Sequence, residues 1–293
     1  MLTKLVDAVV AGIGLGSVYA LIAFGYSLIF TTTGILNLAQ GQILGLGIML
    51  SYGLRVTLGW NPLAVLVVVL LAGGLVGACE EAVAVRLLRG RARIDGWLVT
   101  TLGASLVISG GLLLYWGGTP RPYPNLFDWS GLRVADVTVT PSVMVALGTA
   151  VALTAALWAI NRYTKAGWAL QAIAEDREAA ALRGIDVRRA AMATFAAAAA
   201  ISAVAGWIVV PITKATTALG FVLGLKGFVA MLVGGQGSAL GALAGGLVLG
   251  IGEQMGTQFG PSGLGDIYGF ALLVVVINVR PDGIFAGTRL RRA

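Results

Sequence analysis

The sequence predicts an all-α polytopic membrane protein of about eight or nine transmembrane helices, some of them broken or re-entrant. Three observations carry that expectation. The 293 residues are 58% hydrophobic and only 11% charged, against about 25% charged in soluble domains, so polar groups could not cover a water-facing surface. Mean hydropathy is +0.90, and apolar windows recur near the ~20-residue length that crosses a hydrocarbon core. Forty-three glycines supply the small residues that let membrane helices pack closely. The chain reads as one transmembrane domain over residues 1–293.

Taken in order, the expected spans are residues 5–30, 35–54, 63–85, 97–116, 141–160, 190–212, 221–233, 239–255 and 264–279. The seventh is short. If it is re-entrant, the count falls from nine to eight and the N-terminal side changes. The opening run is too long, and too weakly charged at its start, for a cleavable signal peptide. Fourteen of the 20 Lys and Arg residues fall in three segments. These are 86–93 (Arg86, Arg89, Arg91, Arg93), 161–190 (Arg162, Lys165, Arg177, Arg183, Arg188, Arg189) and 280–292 (Arg280, Arg289, Arg291, Arg292). Placing all three in the cytoplasm satisfies the positive-inside rule. Nine spans then put the N-terminus outside and the C-terminus inside. Segment 117–140, with three prolines, two aspartates and only two arginines, lies outside. Charge clustered beside apolar spans accounts for the net +7 without a nucleic-acid partner.

The island at 161–190 also holds Glu175, Asp176, Glu178 and Asp186, and reads Glu178-Ala179-Ala180-x-x-x-Gly184 at its centre. A membrane protein that devotes this length to a charged, helix-favouring loop presents it to a partner. The single Cys79 and the lack of histidine exclude an internal disulfide, a cysteine-based metal cluster and His-based chemistry. No Gly-x-x-x-x-Gly-Lys-Ser/Thr phosphate loop is present, so the chain is not itself an ATPase of that class. Gly12-x-Gly14-x-Gly16 lies in an apolar helix with no strand before it and reads as a packing face.

Two polar breaks interrupt the apolar runs. Asn37, Gln40 and Gly41 are spaced i, i+3, i+4 and would share one helix face, with Gln42 pointing away unless the helix is broken. Each amide has two readings: glue between helices, worth about 1 kcal/mol, or lining of a translocation path. The cluster favours a path. The second break is Gly234-Gly-Gln236-Gly-Ser238, in the face Gly237-x-x-x-Gly241-x-x-x-Gly245. Glycine-interrupted segments in both halves of a transporter point to the substrate route, so the path candidates are Asn37, Gln40, Gly41, Gln42 and Gln236. Glu80 and Glu81 precede Arg86 by about a turn and would pair with that cluster. Lys226 and Glu253 read as snorkelling or interhelically paired.

Gly16-Ser-Val-Tyr-Ala-Leu-Ile-Ala-Phe-Gly-Tyr26, followed by Gly34-Ile-Leu-Asn-Leu-Ala-Gln-Gly-Gln42, resembles the start of LivH-type permeases, the membrane subunits of branched-chain amino acid ABC importers. The resemblance continues from Glu80 and Glu81 to Arg89, and at Thr101-Leu-Gly-Ala-Ser105, Ala174-Glu-Asp-Arg-Glu-Ala-Ala-Ala-Leu-Arg-Gly-Ile185, Gly224-Leu-Lys-Gly-Phe-Val-Ala230, Gly234-Gly-Gln-Gly-Ser238 and Arg280-Pro-Asp-Gly-Ile284. It spans nearly the whole chain in the family's order. What it implies is a multi-pass permease of the bacterial-type cytoplasmic (inner) membrane that binds no cofactor. Such a permease pairs with a second, related permease, two cytoplasmic ATPase subunits that use the ATP, and an extracytoplasmic substrate-binding protein.

The resemblance also implies that residues 161–190 form a cytoplasmic coupling loop, in which Ala174, Glu175, Asp176, Glu178, Ala179, Ala180 and Gly184 dock onto an ATPase. A short charged helix braced by a glycine turn can carry a partner's rigid-body motion into the membrane. Two departures stand out. The broader importer motif ends Ile-x-Leu-Pro, which residues 190–195 lack. Family members commonly read Asn-x-Ala-His-Gly-Glu where this chain has Asn37-Leu-Ala-Gln40-Gly41-Gln42, so both ionisable positions are neutral amides. The expected substrates are therefore branched-chain amino acids or related small polar solutes, including neutral amides, urea and organic acids. The rival is a stand-alone secondary transporter or channel, against which the shortage of mid-membrane carboxylates argues. An intramembrane enzyme lacks the residues it would need.

Overall fold

The structure, a computed structural model, describes residues 2–86, 96–127, 131–134, 137–261, 264–281 and 283–285. In chain order the elements are α1 (Leu2–Thr33), α2 (Gln40–Tyr52), α3 (Pro62–Glu80), α4 (Gly96–Trp116), the strands β1 (Leu132–Val134) and β2 (Val137–Val139), α5 (Pro141–Tyr163), α6 (Lys165–Glu175), α7 (Arg177–Leu182), α8 (Val187–Thr213), α9 (Leu219–Gly234), α10 (Ala239–Phe259) and α11 (Gly265–Val279). Each of α2 and α3 ends in a π-helical turn, Gly53–Thr57 and Glu81–Val85. The strands form one small antiparallel hairpin, and the architecture is all-α. Among the described residues six helices are long and apolar enough to cross a membrane, while α9 and α11 are shorter apolar helices.

Side-chain caps open five of the eleven described helices. Asn61 accepts the Leu63 N–H and is followed by Pro62 at the first helical position, a pairing that favours an N-terminus there. Thr164, Asp176, Asp186 and Ser238 cap α6, α7, α8 and α10 in the same way. At the far end of α8, Lys214 holds φ +124°, in a region suited to glycine. The next residue, Ala215, exchanges two backbone hydrogen bonds with Arg121 (2.8 and 2.9 Å).

Helices meet through glycine. A Cβ added at Gly12 or Gly16 of α1 would strike the α10 backbone at Ile251 or Gly246, and one at Gly246 or Gly250 would strike α1. The Gly12/Gly16 stripe is therefore a packing face, while Gly14 meets Val143 of α5. Gly241 and Gly245 pack on Gly234 and Ala230 of α9, but Gly237 lies in the turn before α10 with φ +80°. At the centre, Gly47 of α2 abuts the Ala203 carbonyl of α8, and Gly206 abuts the Leu44 carbonyl. Gly41 meets Gly220 and Gly224 of α9.

These contacts also give helix directions. Gly77 lies by Phe195 and Gly73 by Ala203, so α3 and α8 are antiparallel. Gly12 lies by Gly250 and Ala20 by Gly246, so α1 and α10 are antiparallel as well. One face of the bundle carries the island, Arg86 beside Met192 at the start of α8 (3.5 Å), and residues 284 and 285 bonded to Val233 and Gly234. The rest of the first basic segment, residues 87–93, and residues 282 and 286–292 of the third lie outside the described residues. The other face carries Trp60, the β-hairpin and the Arg121–Ala215 bridge.

One expected element differs. Residues 35–39 are not helical: Gly34 turns the chain with φ +71°, and α2 begins only at Gln40. The apolar Gly34-Ile-Leu run resembles a helix start, but Thr33 Oγ1 takes the Ile35 N–H and Asn37 Oδ1 takes the Ala39 N–H. Those side chains compete with the helix for its backbone donors. Asn37 therefore does not share a helix face with Gln40 and Gly41.

Close approach makes a falsifiable demand. Gly47→Val should cost about 1–3 kcal/mol by overpacking and lower the melting temperature in detergent. Gly103→Ala, with nothing within 4 Å of the added Cβ, should leave melting unchanged or slightly raised.

Candidate functional site

Three groups of polar residues stand out against the apolar bundle. The first surrounds the break before α2. Gln40 Nε2 donates to the Ala198 carbonyl (2.8 Å) and to Ser202 Oγ (2.6 Å), near the middle of the 27-residue α8. Helix α2 thus starts deep inside the bundle. Asn37 Nδ2 donates to Glu80 Oε2 (2.9 Å), while Glu81 pairs with Arg86 (2.8 Å). Glu81 thus pairs with Arg86 as expected, whereas Glu80 is turned inward to the break. Gln42 faces α9, its Oε1 next to Gly220. The Oε1 atoms of Gln40, Gln42 and Glu80 are buried without a hydrogen-bond partner among the described residues, a costly state in an apolar interior. Gln236 is elsewhere, half-buried in the α9–α10 turn where Gly237 meets Thr31 and Gly235 meets Gly283.

The second group is an ion pair. Lys226 Nζ of α9 lies 2.6 Å from Glu253 Oε1 of α10, both side chains largely buried. The Tyr19 hydroxyl of α1 donates to the other oxygen, Glu253 Oε2 (3.1 Å), and Lys226 also sits 5.7 Å from the Tyr19 ring centre. Three helices thereby meet at one carboxylate. Of the two readings open from the sequence, the structure adopts interhelical pairing.

The third group is the island. Gly167 lies against the Ile160 carbonyl and Asn161, folding α6 back across the end of α5. Asp176 Oδ1 accepts the N–H groups of Glu178 (2.9 Å) and Ala179 (3.0 Å), opening α7. At its other end the Ile185 N–H bonds to the Ala180 carbonyl and the Gly184 N–H to Ala181, with Gly184 at φ +85°. That is a Schellman motif, whose αL position favours glycine. Ala180 is buried, whereas Ala174, Glu175, Asp176, Glu178, Ala179 and Gly184 are exposed. Leu182 is 90% exposed at the tip, a large apolar side chain standing in a charged surface. Only residues 183–186 separate α7 from α8, and Asp186 caps α8 through the Arg189 N–H (2.9 Å).

The family described as "Branched-chain amino acid transport system / permease component" matches residues 8–277. The chain belongs to that family. It is 33% identical to the high-affinity branched-chain amino acid transport system permease protein LivH of Escherichia coli strain K12, over 93% of this chain and 92% of that protein. It is 29% identical to the corresponding permease protein BraD of Pseudomonas aeruginosa, over 94% of each. It is 26% identical to a probable branched-chain amino acid transport permease protein LivH of Methanocaldococcus jannaschii, over 90% of this chain and 87% of that one. No solved structure matches the chain. This family member is a multi-pass membrane permease component.

Sequence reasoning singled out Asn37, Gln40 and Glu253 but missed Ser202, Tyr19 and Leu182. Ser202 and Tyr19 lie in apolar runs and gain meaning only from a partner on another helix. Leu182 is notable only once its exposure is known.

The ion pair yields a test by double-mutant cycle. Removing one partner of a buried pair costs about 3–5 kcal/mol, whereas replacing both with apolar residues is often neutral. Lys226→Met and Glu253→Leu should each lower the melting temperature in detergent sharply. The double variant should recover most of the loss; additive losses would contradict the pairing.

Proposed function

We propose that this chain is the membrane subunit of an ABC importer for branched-chain amino acids or related small polar solutes such as neutral amides, urea or organic acids. ATP is bound and hydrolysed by separate cytoplasmic ATPase subunits, and the chain itself holds no cofactor. Its other partners are a second, related permease and an extracytoplasmic binding protein, in the bacterial-type inner membrane. The relatives above, all named as permease proteins of branched-chain amino acid transport, support this reading over a stand-alone transporter or channel.

The observation that carries the reading is the exposed α6–α7 unit. Its charged surface, its glycine-braced end and the bare Leu182 suit a cleft on a soluble partner. Arg86 and the island's own basic residues share that face, which the positive-inside rule puts in the cytoplasm. Mechanically, α7 is joined by a four-residue link to α8, and α8 is in backbone contact with α2 at Gly47 and Gly206. When ATP binding closes the ATPases, a rigid displacement of α7 passes along α8 to the start of α2. There Asn37, Gln40, Gly41 and Gln42 line or gate the path, and the Gln40 and Gln42 oxygens, buried and unpartnered among the described residues, meet a polar solute when the break opens. Gln236 belongs to the path at the cytoplasmic end of α9.

Glu178→Arg should reverse a contact charge, and Gly184→Val should strain the αL turn by about 1–2 kcal/mol. Both should lower uptake and substrate-stimulated ATP hydrolysis in the reconstituted complex, while the amount of chain in the membrane stays constant. Uptake unchanged in both variants would remove the coupling assignment.

A further inference from the structure

A cleft of about 250 Å³ opens where α5 ends and α6 folds back, lined by Trp158, Asn161, Arg162, Trp168 and Gln171. The transport reading gives it no role. It is held in shape: Gly167 lies against the Ile160 carbonyl with no room for a side chain, and Gln171 Nε2 donates to the Asn161 carbonyl (3.0 Å). Its aromatic walls are bare, Trp158 being 53% and Trp168 59% exposed. Trp158 is braced edge-on by Tyr163, ring centres 5.8 Å apart. No carboxylate lines the cleft, and Arg162 makes no ion pair among the described residues.

Position decides what fits. Residues 141–163 form a membrane-crossing span, so Trp158 to Tyr163 mark the depth at which it leaves the bilayer. Helix α6 starts two residues later, turns Gly167 and Ile173 inward and leaves Trp168 and Lys165 exposed. Tryptophan and tyrosine favour the headgroup level, and basic residues there attract anionic lipid. Toward the bilayer, Ala155 and Val151 lie one and two turns back from Trp158 on the same face of α5 and are also exposed, an apolar track for acyl chains.

We propose that this cleft binds the headgroup of an anionic phospholipid from the leaflet on the island face. Arg162 takes the phosphate with Lys165 beside it, and the two tryptophans flank the glycerol region. The bound lipid would fix α6, and with it the base of α7. The proposal rests on the chain spanning a membrane and not on the importer reading, so the two can fail separately.

The test is native mass spectrometry of the full-length chain in mild detergent with equimolar phosphatidylglycerol and phosphatidylcholine. Wild type should retain phosphatidylglycerol preferentially. Arg162→Gln and Lys165→Gln should each reduce that retention about fivefold, the value of one basic residue near an anionic surface, and Arg162→Lys should restore most of it. Melting of each variant identifies any loss of fold, and Lys165→Gln, an exposed position, keeps the test open if Arg162→Gln unfolds. Equal retention of the two lipids by wild type, or retention unchanged in both Gln variants, would overturn the proposal. So would displacement by millimolar inorganic phosphate, which would make this a free-anion site. Lipid retention unchanged while ATPase co-purification is lost would make it a protein-docking surface instead, and equally overturn it.

Discussion

At the centre of this protein helix backbones touch one another, and the rest of the structure follows from that contact. In lipid there is no hydrophobic drive between helices, so association relies on close van der Waals packing and on hydrogen bonds. Glycines at 41, 47, 206, 220 and 224 bring α2 onto α8 and α9 with no side chain between them. Glycines at 12, 16, 246 and 250 do the same for α1 and α10. Such distances also suit Cα–H···O contacts, each small but repeated along the interface.

Close packing is what lets α2 begin inside the bundle. A helix that starts at membrane depth exposes backbone donors, and lipid offers them no partner. Thr33, Asn37 and the tight turn at Gly34 take up several, while Gln40 ties the first turn to Ala198 and Ser202. The break is thus a built feature, anchored to α8, which runs unbroken from the island past the bundle centre. On the proposed function, a displacement applied at α7 would reach the break through a single rigid element. Interfaces packed this closely do not deform gradually, so they suit motion between discrete arrangements.

Much of this was legible in the sequence. Spans at residues 63–85, 97–116 and 141–160 reappear within a few residues, because length and hydropathy alone determine them. Gly184 was legible too, since a glycine after a short charged helix announces an αL cap. The start of α2 was not: Ile35 and Leu36 carry a helical pattern, and the competing bonds from Thr33 and Asn37 are weak local signals. Glu80 was assigned to Arg86 by proximity in sequence, yet its partner is 43 residues away at Asn37. Lys226 and Glu253 were visible as charges in apolar runs, but their meeting at Tyr19 depends on how three helices cross, which no spacing along the chain encodes.

The central claim is that the island face meets the ATPase and that α7 is the contact. Its most direct test is photo-cross-linking from Leu182→Cys in a Cys79→Ala background, using a short maleimide–benzophenone reagent on the assembled complex. The account predicts a covalent adduct between this chain and an ATPase subunit, with an exposed cysteine on another face giving none. Absence of that adduct, together with labelling of the cysteine by a membrane-impermeant maleimide applied outside intact cells, would contradict it.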